Sequence, residues 1–226
     1  MRRRGGRSTW VRVIGAIGWL LVVGSAGAQV PLLPDELERI DVIALEHDGR
    51  DLFAFDALAG RRSSIRLEVD EEILWEGSRG RIGLVLTDRR ALGVASGGGF
   101  QELRYRLQET PATVALVEDR VAVLATDRRA LGFVVSGEWV QKRFTPGEEP
   151  AALRAGAAAG LVATNRRLLG LAPGPRRLAE MPLDVREVIE SVNAQDTLVT
   201  VRTNRRILVF SAVQGLWGEE RRQLDP

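Results

Sequence analysis

The chain contains no cysteine, which excludes disulfides, thiolate metal sites, a cysteine nucleophile and a lipid-anchored N-terminal cysteine. It contains one histidine, His47, so a multi-histidine metal site is excluded and a single imidazole remains for acid–base work. Aromatic residues make up 5% of the chain, too few for the stacked platforms that hold sugars or single-stranded nucleic acid. Lysine is nearly missing as well: Lys142 stands alone, and arginine carries the rest of the positive charge. No nucleophile elbow, phosphate-binding loop, dinucleotide fingerprint or calcium loop is present. No cofactor or metal is therefore expected, and the reading leans away from an enzyme. What the 226 residues do have is 45% hydrophobic and 27% charged content, the balance of a chain that folds around a core.

The formal charge of +2 comes from the N-terminus. Residues 1–28 hold Arg2, Arg3, Arg4, Arg7 and Arg12 and no acid, and the rest of the chain carries 27 bases against 30 acids. Nothing in that remainder suggests a nucleic-acid partner. The same 28 residues read as a secretory signal: a basic stretch, an apolar run from Val13 to Val23, then small residues ending in Ala26-Gly27-Ala28. The run is shorter than the ~20 residues a bilayer-spanning helix needs. Cleavage after Ala28 is expected, which makes the mature chain periplasmic or secreted, with no membrane span. Residues 29–34 form a short N-terminal segment.

Repetition dominates the remainder. TDRRALG occurs at Thr87–Gly93 and again at Thr126–Gly132, followed by TNRRLLG at Thr164–Gly170 and TNRRILV at Thr203–Val209. The threonines are spaced 39, 38 and 39 residues apart, and HDGRDLF at His47–Phe53 stands one further step back. Around each motif, apolar residues alternate as in a β-hairpin, and one more strand-like run lies on either side. Four short strands and their turns fill ~39 residues. Such a unit, repeated at this period, is a propeller blade.

The expected fold is therefore all-β: a five-bladed β-propeller of four-stranded antiparallel blades over residues 35–226. The blades run approximately 35–72, 73–110, 111–149, 150–187 and 188–226. Neither end carries a polar capping repeat, so the ring is expected to close and the protein to be a monomer. A strand from Pro34 to Ile40 is expected to begin the first blade. Ala151–Ala159 and Asp184–Val192 have some helical propensity but occupy inner-strand positions, and are read as strands. Phe100, Trp139 and Trp217 recur at equivalent positions, which argues for packing.

The run Asp48-Gly-Arg-Asp-Leu-Phe-Ala-Phe-Asp-Ala-Leu-Ala-Gly-Arg61 resembles a quinoprotein-type (PQQ-like) propeller repeat, with its D-G turn, alternating strand and D-A-x-x-G. The resemblance covers one unit of five and implies the propeller superfamily that includes WD40-like repeats, without the quinone cofactor. Related propellers of the bacterial envelope serve as assembly scaffolds. The run Ile73-Leu-Trp-Glu-Gly with Leu86-Thr-Asp-Arg-Arg is also similar to a bacterial pleckstrin-homology-like domain. That domain needs about 100 residues per hairpin, and the spacing here favours blades.

Every unit places Asp or Asn two residues before an arginine, which singles out Arg50, Arg90, Arg129, Arg167 and Arg206. Asp and Asn suit tight turns, and Asp48-Gly49 fits a two-residue hairpin. Antiparallel geometry puts all five hairpins on one face, beside blade connections that carry Glu71, Glu72, Glu109, Glu148, Glu149, Asp184 and Glu187. Two readings stay open. The arginines clamp blade to blade through bidentate carboxylate pairs, or they form a ring that binds an anionic ligand or an acidic protein partner. The expected function is a non-enzymatic, exported scaffold for protein or ligand binding. The alternatives are a glycoside hydrolase-like enzyme with axial carboxylates and a multivalent small-ligand lectin.

Overall fold

A computed structural model describes residues 40–222. The expected leader, the segment 29–34 and all of the Pro34–Ile40 strand except Ile40 lie outside the described residues. Nineteen β-strands make up the described residues, and among them no helix is long and apolar enough to cross a membrane.

The strands group into five antiparallel sheets in chain order. Blade one holds β1 (Ile43–Asp48), β2 (Asp51–Asp56) and β3 (Arg61–Arg66). Blade two holds β4 (Ile73–Arg79), β5 (Ile82–Thr87), β6 (Arg90–Ala95) and β7 (Gln101–Arg104). Blade three runs from β8 (Ala115–Val117) and β9 (Val121–Ala125) to β10 (Arg129–Val134) and β11 (Glu138–Arg143). Blade four has β12 (Pro150–Ala155), β13 (Gly160–Thr164), β14 (Arg167–Leu171) and β15 (Ala179–Pro182). Blade five has β16 (Ile189–Ala194), β17 (Leu198–Thr203), β18 (Arg206–Ser211) and β19 (Leu216–Arg221). This is a five-bladed β-propeller. The helix-prone segments resolve as strands β12 and β16, each preceded or followed by a turn, because their apolar residues face neighbouring blades rather than water.

Neighbouring blades interlock through one recurring contact. On the third strand, Gly93, Gly132 and Gly170 each lie beneath a large residue of the following blade: Phe133, Leu171 and Phe210 respectively. A β-carbon at these glycines would stand 2.6 Å from that neighbour, so only glycine admits the approach. Between blades one and two the same contact is made by smaller partners, with Ala54 and Val94 in one buried cluster. Trp139 and Trp217 tilt against Phe133 and Phe210 at ring distances of 5.0 and 5.2 Å. Their indole N–H groups donate to the Gln101 and Ala179 carbonyls of the preceding blade.

The middle strands of blades two, three and four are buried on both faces, whereas blades one and five bury one face each. A ring closed by blade five on blade one was expected, yet Phe55 of blade one and Ile207 of blade five remain 43% and 37% exposed. The physical reason lies in the side chains. Glu46 occupies the blade-one position held by Val85, Leu124, Val162 and Val201 elsewhere, and Arg202 the blade-five position held by Leu86, Ala125 and Ala163. Each end face therefore mixes charge with exposed apolar side chains, Glu46 with Phe55 on blade one and Arg202 with Ile207 on blade five.

Candidate functional site

The motif hairpins join the second and third strands of their blades, on the same face as the connections between blades. Each hairpin is built around its threonine. The Thr87 hydroxyl accepts the backbone N–H groups of Arg89 and Arg90 and donates to Glu71 at 2.7 Å. Thr126, Thr164 and Thr203 repeat the pattern on Glu109, Glu148 and Glu187. The role of this threonine was not read from the sequence, although its invariance across four units was the available signal.

The second arginine of each motif completes the arrangement. Arg90, Arg129, Arg167 and Arg206 bind Glu71, Glu109, Glu148 and Glu187 through Nε at 2.7–2.9 Å and Nη2 at 2.9 Å. Nη2 also donates to the last strand carbonyl of the blade before: Arg66, Arg104, Arg143 and Pro182. Nη1 reaches Glu102, Gln141, Glu180 and Glu219 on the outer strand of its own blade. One guanidinium thus holds a hairpin, its entry connection and the exit of the preceding blade. Each glutamate in turn accepts the N–H three residues before it, from Glu68, Arg106, Thr145 and Asp184.

These carboxylates are buried, which alone would raise their pKa values. For Glu187 the hydrogen bonds from Arg206, the Asp184 N–H and Thr203 override burial and hold the carboxyl at about 2. Glu71 and Glu148 are lowered in the same way. Arg90 is raised by its bonds to Glu71 and then Glu102, against burial.

Arg50 does not share this position. Strand pairing sets Asp51 opposite Arg66, as it sets Arg90 opposite Arg104 and Arg129 opposite Arg143. Asp48 therefore takes the threonine position and Asp51 the clamp position, while Arg50 matches Arg89, Arg128, Arg166 and Arg205. It donates through Nε and Nη2 to the Leu67 carbonyl. Those first arginines lie nearer solvent: Arg89 pairs with Glu68 at 3.1 Å, and the Arg128 side chain is 61% exposed.

Two concavities among the described residues lie on the hairpin face and on the opposite face where the blades converge. The larger, of about 1170 Å³, opens between blades three and four on the hairpin face. Its floor includes Val114, Leu116, Phe144 and Leu153, and its rim Arg128 and Glu149. It forms where the inner strand is shortest: β8 has three residues, against seven in β4 and six in β12 and β16. Pro111–Val114 consequently runs beside the groove outside the strand ladder, with Val114 55% exposed.

The smaller cavity, of about 450 Å³, lies where the first turns of all blades converge on the opposite face. Backbone bonds link these turns in series: Val42 to Gly80, Arg81 to Asp119, Arg120 to Ala157 and Ala158 to Asp196. The structure gathers Asp41, Glu118, Asp119 and Asp196 here. Burial, together with the neighbouring Asp119, Asp196 and Asp41, raises Glu118 despite the opposing charge of Arg79. Three of these carboxylates serve neighbouring turns: Glu118 pairs with Arg79, Asp119 with Arg81, and Asp41 accepts the Gly80 N–H. No aromatic side chain lines the cavity among the described residues. Nor does any group of three or more acidic or histidine side chains among them form a metal-binding cluster.

No protein-family model matches the chain, and no curated protein matches it in sequence. Solved structures similar to it include yeast RCC1 (Prp20) bound to Kap60, at 6% identity and a TM-score of 0.40. That match covers 76% of this chain and 54% of the other, so this chain spans little more than half of that relative's length. The Neurospora crassa Pan2 WD40 domain is similar at 14% identity and a TM-score of 0.34, over 84% of this chain and 68% of that one. Kluyveromyces lactis Hsv2 is similar at 8% identity and a TM-score of 0.35, over 81% and 83%.

Proposed function

We propose that this protein is a non-enzymatic, exported binding scaffold that holds an extended segment of a protein partner in the groove between blades three and four. The observation that carries the reading is the shortened inner strand β8, which leaves the Pro111–Val114 backbone beside an apolar floor. An extended segment satisfies such a site by adding main-chain bonds along the strand edge while alternate side chains enter the floor. Arg128 and Glu149 at the rim orient charged groups of the partner. On this reading the motif arginines have a structural role, because Arg90, Arg129, Arg167 and Arg206 spend their donors on carboxylates and carbonyls. The secretory pattern of residues 1–28 supports a site of action in the periplasm or outside the cell, and the Asp48–Arg61 run supports kinship with PQQ-like repeats.

The test is site-specific photocrosslinking in the native host. A photoreactive residue at Val114 or Leu153 is expected to capture one partner, and the same residue at the exposed Val213 of blade five is expected not to. Equal capture at all three positions, or none at Val114 and Leu153, overturns the groove as the site.

A further inference from the structure

The two exposed blade faces carry the same contact code as the four internal junctions. At each internal junction a residue of the later blade seats on a small residue of the earlier one: Val94 on Ala54, Phe133 on Gly93, Leu171 on Gly132 and Phe210 on Gly170. By strand register, Phe55 on the open face of blade one holds the seating position, and Val209 on the open face of blade five holds the receiving position. Charge follows the same code. Leu86 of β5 and Leu124 of β9 share one core cluster across the junction of blades two and three. Their counterparts at the ends are Arg202 on blade five and Glu46 on blade one, an oppositely charged pair.

We infer that blade five of one copy stacks on blade one of a second copy, head to tail, with Arg202 set against the partner copy's Glu46 and Val209 against its Phe55. A second copy fits better than closure within one chain for two reasons. Three of the four internal junctions are already seated at distances that leave no room for a methyl group, so the array has little slack with which to bring its ends together. In addition, Phe55 on Val209 is bulkier than any internal pair, all of which rest on glycine or alanine. A junction between separate copies is free to adopt the wider spacing that this pair needs. Because the two surfaces differ, the association is heterologous and continues from copy to copy.

The experiment uses the purified chain, whose lack of cysteine makes introduced thiols the only ones present. Sedimentation velocity is expected to show mass rising with concentration in steps of one chain. Glu46→Arg or Arg202→Glu alone is expected to move the midpoint of association up by about tenfold or more, and the double charge swap to restore it. Glu46 is exposed and makes no ion pair among the described residues, so the circular dichroism melt of Glu46→Arg is expected to match the parent, whereas Arg202→Glu also loses the Glu190 pair of its own blade. With Phe55→Cys and Val209→Cys in one chain, oxidation is expected to yield a ladder of disulfide-linked copies. A one-chain mass at every concentration overturns the inference. An internally cross-linked single chain overturns it too, in favour of ring closure.

Discussion

Phe133 of blade three rests on Gly93 of blade two so closely that a β-carbon there would stand 2.6 Å from the ring. Gly93→Ala is expected to cost about 1–3 kcal/mol through overpacking. Combining it with Phe133→Val recreates the Ala54–Val94 pair already used between blades one and two. The double variant should recover most of the loss in urea unfolding. A neutral Gly93→Ala would show that the blades are not seated as described.

The clamps should outweigh their exposed neighbours. Arg129 and Glu109 are both nearly inaccessible, with side chains 4% and 0% exposed. Removing one partner leaves a buried charge, at a cost of about 3–5 kcal/mol. Arg50 binds one carbonyl at the end of the array, and Arg50→Ala should cost about 1 kcal/mol. Equal midpoint shifts in urea for Arg129→Ala and Arg50→Ala would contradict this ranking.

Acid should release the clamps. The Glu187 carboxyl is held at about 2, below its ordinary 4.5, so its contribution is complete above pH 4.5 and is lost as pH falls towards 2. The lowered carboxyls of Glu71 and Glu148 act in the same direction. The stability difference between the parent and Glu187→Gln should therefore shrink steadily between pH 4.5 and 2. A constant difference across that window would remove the linkage.

Tyr105 gives a separate optical check because it is the only tyrosine in the chain. Burial pushes its phenol up to about 12, against the smaller lowering influence of the Ala112 backbone. Ultraviolet titration should show no phenolate until pH approaches that value. Ionisation near the ordinary value of 10 would mean that the core edge between blades two and three, where Tyr105 packs, is open to water.

The blade count and strand order were legible because one seven-residue motif recurs at nearly constant spacing, and each copy sits on the same hairpin. The acidic partners of the arginines were legible too, as carboxylates concentrated in the blade connections. The first unit misled by one residue. Matching letters aligns Arg50 with Arg90, whereas pairing of Asp51 with Arg66 decides the register. The open ends were written in Glu46 and Arg202, which look like ordinary surface charges until strand parity assigns them to blade faces. The groove had no local signal: Pro111 and Pro150 both stand near an inner strand, yet only β8 is cut to three residues.

Every clamp reaches backward along the chain, from a hairpin to the exit of the blade just before it. A polypeptide emerging N-terminus first can therefore latch each sheet only once the following hairpin has appeared. Assembly acquires a polarity, and duplication of a whole unit would lengthen the protein while supplying its own fastening.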